Sequence, residues 1–100
     1  MSQKTKQQNK KAAAENAQVS FTPIGWDDFE HWRTNDQKIH AEICRLIVEC
    51  MRTPFNGLGK PEPLKGDLSG YWSRRITKEH RLVYYYGAGA LTVIACRYHY

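Results

Sequence analysis

Between residues 70 and 100 the chain reads as three strand-like runs: GYWSRRI at 70–76, HRLVYYY at 80–86 and ALTVIACRYHY at 90–100. Only TKE and GAG separate them, and joins that short suit hairpins. The runs are therefore expected as a three-stranded antiparallel meander, one face of which has to be covered. The cover is legible upstream. Ile39, Ile43, Leu46, Ile47 and Cys50 recur at i, i+4, i+7, i+8 and i+11, one apolar face of a helix that ends before Pro54. Trp26, Phe29, Trp32 and Arg33 mark an earlier helix, with Thr22 as N-cap and Pro23 as first helical residue. TND at 34–36 breaks the two, and Asp36 can cap the second. So short a join implies an antiparallel helix hairpin. QVSF at 18–21 reads as a strand, and PFNGLGKPEPLKGDLSG at 54–70 as a long loop rich in Gly and Pro. The expected fold is α+β: an N-terminal strand, a two-helix hairpin, then the meander.

One hundred residues hold at most one domain. Residues 1–17, MSQKTKQQNKKAAAENA, lack aromatics and almost lack large apolar side chains, so they are expected to stay disordered. Lys4, Lys6, Lys10 and Lys11 could make this stretch a nucleic-acid arm, although a dispensable extension is the simpler reading. The domain is expected over 18–100. Three cysteines, Cys44, Cys50 and Cys96, do not make a secreted disulfide framework and read as buried thiols in a reducing cytosol. No run approaches the length of a membrane span, and no signal-peptide core is present, so a cytoplasmic protein is expected.

The net charge of +5 is unevenly placed. Residues 1–50 carry seven basic and seven acidic groups, whereas residues 51–100 carry eight and three. A basic half of this kind suits a polyanion, or is simply a solvated surface. With only Glu62, Asp67 and Glu79 as carboxylates there, a two-metal nuclease centre is not expected. His40 and Cys44 at i, i+4 are two possible ligands, too few for zinc. No Gly-rich phosphate loop leads into a helix. The remaining possibility is metal-free acid–base chemistry. Cleaving RNA through its own 2′-OH requires a base, a cation on the phosphate and an acid for the departing 5′-oxygen. Glu62 lies between Pro61 and Pro63 and between Lys60 and Lys65, on backbone that Pro63 keeps extended. It is a candidate base or an exposed loop glutamate. Arg81 is a candidate phosphate clamp or a solvating strand residue. His99 is a candidate acid or a structural histidine, and Tyr100 can stack on a base or bond a phosphate oxygen.

FNGLGKPEPLKGDLSGYWSRRITKEHRLVY and the terminal ACRYHY closely resemble the YoeB/Txe toxins of the RelE superfamily. WDDFEHW and RTPF match as well, so the resemblance spans about residues 18 to 100. The implied fold is the RelE-like, microbial ribonuclease-like α+β domain. The implied activity is ribosome-dependent cleavage of mRNA in the A site, with no cofactor. By resemblance Glu62 is the general base, His99 the general acid, Arg81 the phosphate stabiliser and Tyr100 the terminal catalytic tyrosine. Lys65 and Arg75 match further basic positions, and Lys60 and Arg74 complete the expected RNA-binding set. The resemblance also implies a YefM-type antitoxin, operator DNA bound through the toxin–antitoxin complex, and often a homodimer. A basic module that blocks translation initiation without catalysis is the rival reading. Phe21 stands where the family more often has Trp, a departure that touches packing alone.

Overall fold

The computed structural model describes residues 17–98. The expectation of disorder over 1–17 therefore falls, except for Ala17, outside the described residues. The elements run β1 (Gln18–Phe21), α1 (Pro23–Asn35), α2 (Gln37–Arg52), β2 (Glu62–Pro63), a 3-10 turn (Gly66–Leu68), β3 (Trp72–Arg75), β4 (Arg81–Gly87) and β5 (Ala90–Ala95).

Local chemistry sets the helix ends where the sequence placed them. Thr22 Oγ1 accepts from the Gly25 amide and donates to the Ile94 carbonyl, so one side chain caps α1 and ties it to β5. The approach is so close that a Cβ on Gly25 would lie 2.4 Å from the Val93 carbonyl oxygen; only glycine fits there. Asp36 closes α1 through its own amide, which donates to the Trp32 carbonyl. Its carboxylate then accepts from the Lys38 and Ile39 amides to start α2.

The five strands form one mixed sheet in the order β1-β5-β4-β3-β2. The meander β3-β4-β5 is antiparallel as expected. Three features depart from the sequence reading. β1 adds to β5 in parallel, with Gln18 opposite Ala90. The presumed loop contains β2, which pairs antiparallel with β3. The last run also stops being a strand at Ala95: a bulge at Val83/Tyr84 breaks the register, and Tyr98 turns into the left-handed region at φ 67°.

Both helices cover one face of the sheet. Trp32 from α1 and Ile43, Leu46 and Cys50 from α2 bury against Leu82, Tyr84, Leu91, Val93 and Cys96. Each such side chain contributes about 1.5–3 kcal/mol of burial. Burial pushes the Cys50 thiol up to about 11 and the Cys96 thiol up to about 12. Cys44 is only half-buried, and all three cysteines are free. No helix among the described residues is long and apolar enough to cross a membrane.

Arg74 corrects the sequence assignment outright. It is fully buried on the helix side of β3, where no RNA can reach it. Its guanidinium donates to the carbonyls of Leu58 (2.8 Å), Asn56 (2.9 Å) and Thr53, and Nε donates to the Tyr84 hydroxyl (3.2 Å). Tyr84 in turn donates to the Pro54 carbonyl at 2.6 Å. Burial pushes the Tyr84 phenol up to about 12, against the opposing pull of Arg74. One buried cation thus pins the chain between α2 and β2.

Candidate active site

Among the described residues the opposite face of the sheet carries no helix, and strand alternation decides what it presents. On β3 and β4, Trp72, Arg74, Leu82 and Tyr84 point to the helices; Ser73, Arg75, Arg81, Val83 and Tyr85 point away. Directly paired residues share a face. Glu62 on β2 pairs with Ser73, and Ser73 pairs with Val83 on β4. Arg75 pairs with Arg81 in the next row. Glu62 is therefore two strands from Arg81, about 10 Å across the sheet at the usual strand spacing.

The neighbourhood of Glu62 is built by its prolines and by the loop that Arg74 holds. Pro61 and Pro63 have no amide to donate, which suits an edge strand. The Arg75 amide donates to the Gly59 carbonyl at 2.6 Å, and the Leu64 amide to the Tyr71 carbonyl at 2.9 Å, clamping both ends of β2. Glu62 is exposed, and no described residue bonds its carboxylate. Lys60 and Lys65 are exposed on either side of it.

Arg75 and Arg81 put two cations on directly opposed positions, with Cβ atoms about 5 Å apart. Like charges so placed repel, and among the described residues neither has a carboxylate partner. Arg81 is half-buried, with Nη1 3.5 Å from Ser73 Oγ, at the outer limit of a hydrogen bond. Such a pair is suited to receive an anion. In the other direction along the strands, Tyr71, Tyr85, Thr92 and Ile94 line a shallow depression, with the two tyrosine rings edge to face at 6.2 Å.

His99 and Tyr100 lie outside the described residues. The backbone leading to them is fixed at Tyr98, whose carbonyl accepts from the Arg81 amide at 3.1 Å and whose amide donates to His80 Nδ1 at 2.8 Å. His80 had no role in the sequence reading. Its place at the start of a strand, next to the candidate clamp, was the only available signal. Arg97 is not on a strand face either: its guanidinium lies over the rings of Trp32 and Tyr98. Among the described residues no three His, Cys, Asp or Glu side chains gather into a group that could hold a metal ion. His40 Nε2 and Cys44 Sγ, 3.9 Å apart, stand as a pair.

A helix pair on one face of a five-stranded sheet, with the basic residues and Glu62 on the other, is the RelE-like toxin architecture. A YoeB/ParE toxin from Agrobacterium tumefaciens superposes with a TM-score of 0.80 at 55% identity, covering 83% of this chain and 99% of that one. A Staphylococcus aureus YoeB solved as a dimer gives 0.80 at 38% identity (85% and 99% covered). A YoeB–YefM complex from Staphylococcus aureus gives 0.78 at 38% identity (84% and 98%). Among curated proteins, Toxin YoeB of Streptomyces coelicolor is 55% identical over 82 residues, 82% of this chain and 98% of its own length. Residues 21–100 match the family model for the YoeB-like toxin of bacterial type II toxin-antitoxin systems. The chain belongs to the YoeB family of type II toxins.

Proposed function

We propose that this toxin is a ribosome-dependent endoribonuclease that cuts mRNA in the A site by metal-free acid–base chemistry, and so stops translation in the cytoplasm. The observation that carries the reading is the open face itself. Arg75 and Arg81 are opposed cations without a described carboxylate partner, and Glu62 is a carboxylate on the same face that no described residue bonds.

Glu62 takes the proton from a 2′-OH, and that oxygen attacks the adjacent phosphorus. Arg81, with Arg75 beside it, holds the non-bridging oxygens as negative charge grows. The bond to the 5′-oxygen breaks, His99 supplies that oxygen with a proton, and a 2′,3′-cyclic phosphate remains. Tyr100 stands next to the acid and bonds the phosphate or stacks on a base. Lys60 and Lys65 draw in the RNA backbone, and the Tyr71–Tyr85 depression offers a flanking base an aromatic surface.

The antitoxin is of the YefM type, as in the S. aureus complex. Operator DNA, bound through the toxin–antitoxin complex, is part of the same proposal. A homodimer is the assembly that the S. aureus dimer suggests. The test is a ribosome programmed with defined mRNA, with and without the protein, read by mapping new 5′ ends. New ends within A-site codons are expected from the unsubstituted chain and absent with Glu62→Gln or His99→Gln. Intact mRNA on stalled ribosomes would overturn catalysis in favour of a binding module. Cleavage of a susceptible free RNA should survive excess chelator; loss there, restored by added divalent metal, would sink the metal-free route.

A further inference from the structure

We propose that His80 is a positioning residue: its unprotonated Nδ1 fixes the backbone at Tyr98, and with it the direction in which the chain leaves the sheet beside Arg81. Its effect on cleavage rests on the ribonuclease reading above; its effect on the backbone does not.

Tyr98 holds a left-handed conformation, φ 67°, which a bulky residue adopts only when its surroundings impose it. Two bonds impose it, one on each side of the residue. The Tyr98 amide donates to His80 Nδ1, and the Tyr98 carbonyl accepts from the Arg81 amide. Consecutive residues of the chain, a histidine ring and the candidate clamp's own backbone, therefore grip one peptide segment.

His80 is itself held on every side. Its carbonyl accepts from the Ile76 and Thr77 amides, and its amide donates to Thr77 Oγ1, which fixes the turn before β4. Its ring is buried, wedged edge-on against Trp32 at 4.6 Å and tilted against Tyr98 at 5.5 Å. Trp32 is anchored in turn, its Nε1 donating to the Cys96 carbonyl at 2.8 Å. A backbone amide can only donate, so Nδ1 has to accept and the neutral ring carries its proton on Nε2. Nε2 lies 4.0 Å from the Glu79 carboxylate, an exposed side chain. The other nearby charge, Arg97, lies over the rings of Trp32 and Tyr98. A space-filling role would not need an acceptor at that one atom.

Two isosteric substitutions separate the roles. Asn places Oδ1 where Nδ1 stands, whereas Gln carries its amide one bond further out. The first measurement is hydrogen exchange of the Tyr98 amide, which needs no ribosome. Protection is expected in the unsubstituted protein and in His80→Asn, and its loss in His80→Gln. On programmed ribosomes His80→Asn should cut within about threefold of the unsubstituted protein and His80→Gln about 10²-fold more slowly, the cost of a misplaced reacting group. Melting temperatures of the two variants should match. Equal cleavage by both variants, or equal loss in both, would overturn the positioning role. The unsubstituted protein gives a check free of any folding defect: its imidazole 15N spectrum should show Nδ1 unprotonated, and a proton found there refutes the proposal. If the Tyr98 amide behaves as expected while the unsubstituted protein cuts no mRNA, the ribonuclease reading fails and the hold of His80 on Tyr98 stands.

Discussion

Arg74 and Arg75 are neighbours in the chain and opposites in the fold. Arg74 faces the helices, fully buried, its guanidinium spent on the carbonyls of Leu58, Asn56 and Thr53 and on Tyr84. Arg75 faces solvent, paired across the sheet with Arg81. The same side chain is a bracket on one side of the strand and an exposed cation, suited to an anion, on the other. What separates them is the alternation of the strand, and the two faces should respond differently when disturbed.

The largest effect is expected on the open face. Glu62→Gln and Arg81→Ala should each lower mRNA cleavage by about 10²–10⁴-fold, while the melting temperature moves little. Arg75→Ala should follow the same pattern more weakly. On the buried face the pattern reverses. Arg74→Ala strands three carbonyls and a hydroxyl, and should cost about 3 kcal/mol or more of stability in urea unfolding. If Arg75→Ala destabilised the protein as much as Arg74→Ala, the division between the faces would be wrong. A smaller effect is expected at the depression: Tyr85→Ala should weaken RNA engagement by about 1–3 kcal/mol, seen in KM ahead of kcat. A pH effect belongs to the core. Cys50, Cys96 and Tyr84 all have folded pKa values raised above their ordinary 9.0 and 10.0, to about 11, 12 and 12. The unfolded chain therefore loses these protons first. Stability is fully present below about pH 9 and should fall as pH rises from there toward 12, read as a declining melting temperature.

Much of the helix side was legible because helices declare themselves locally. The 3.6-residue stripe of α2 and the caps at Thr22 and Asp36 depend on neighbours in sequence. β2 was hidden because two residues carry no period, and Pro63 argues against a strand unless it lies at an edge. The parallel place of β1 was hidden because its partner is remote in the chain. The last strand passes a bulge, stops at Ala95 and gives way to a left-handed turn at Tyr98, none of which a period of two announces. Arg74 was misassigned by composition, although the alternation of Trp72 with Ser73 already implied that Arg74 shares the inward face. Glu62, Arg75 and Arg81 came out on one face because the resemblance supplied their roles and the register supplies their company. His80 could not be read from sequence, since its acceptor serves an amide eighteen residues further on.

The bond between Thr22 and Ile94 spans 72 residues, and among the described strands β1 pairs with β5 alone. Synthesis runs from the N-terminus, so β1 and the tie from the Thr22 hydroxyl to β5 wait for their partners until almost the whole domain has been made. A nascent chain that stops short of Ala90 lacks the strand on which both depend. Contacts this distant also slow the final closure. A cell that makes this toxin thus gains an interval during which the newborn chain is incomplete in shape as well as in length.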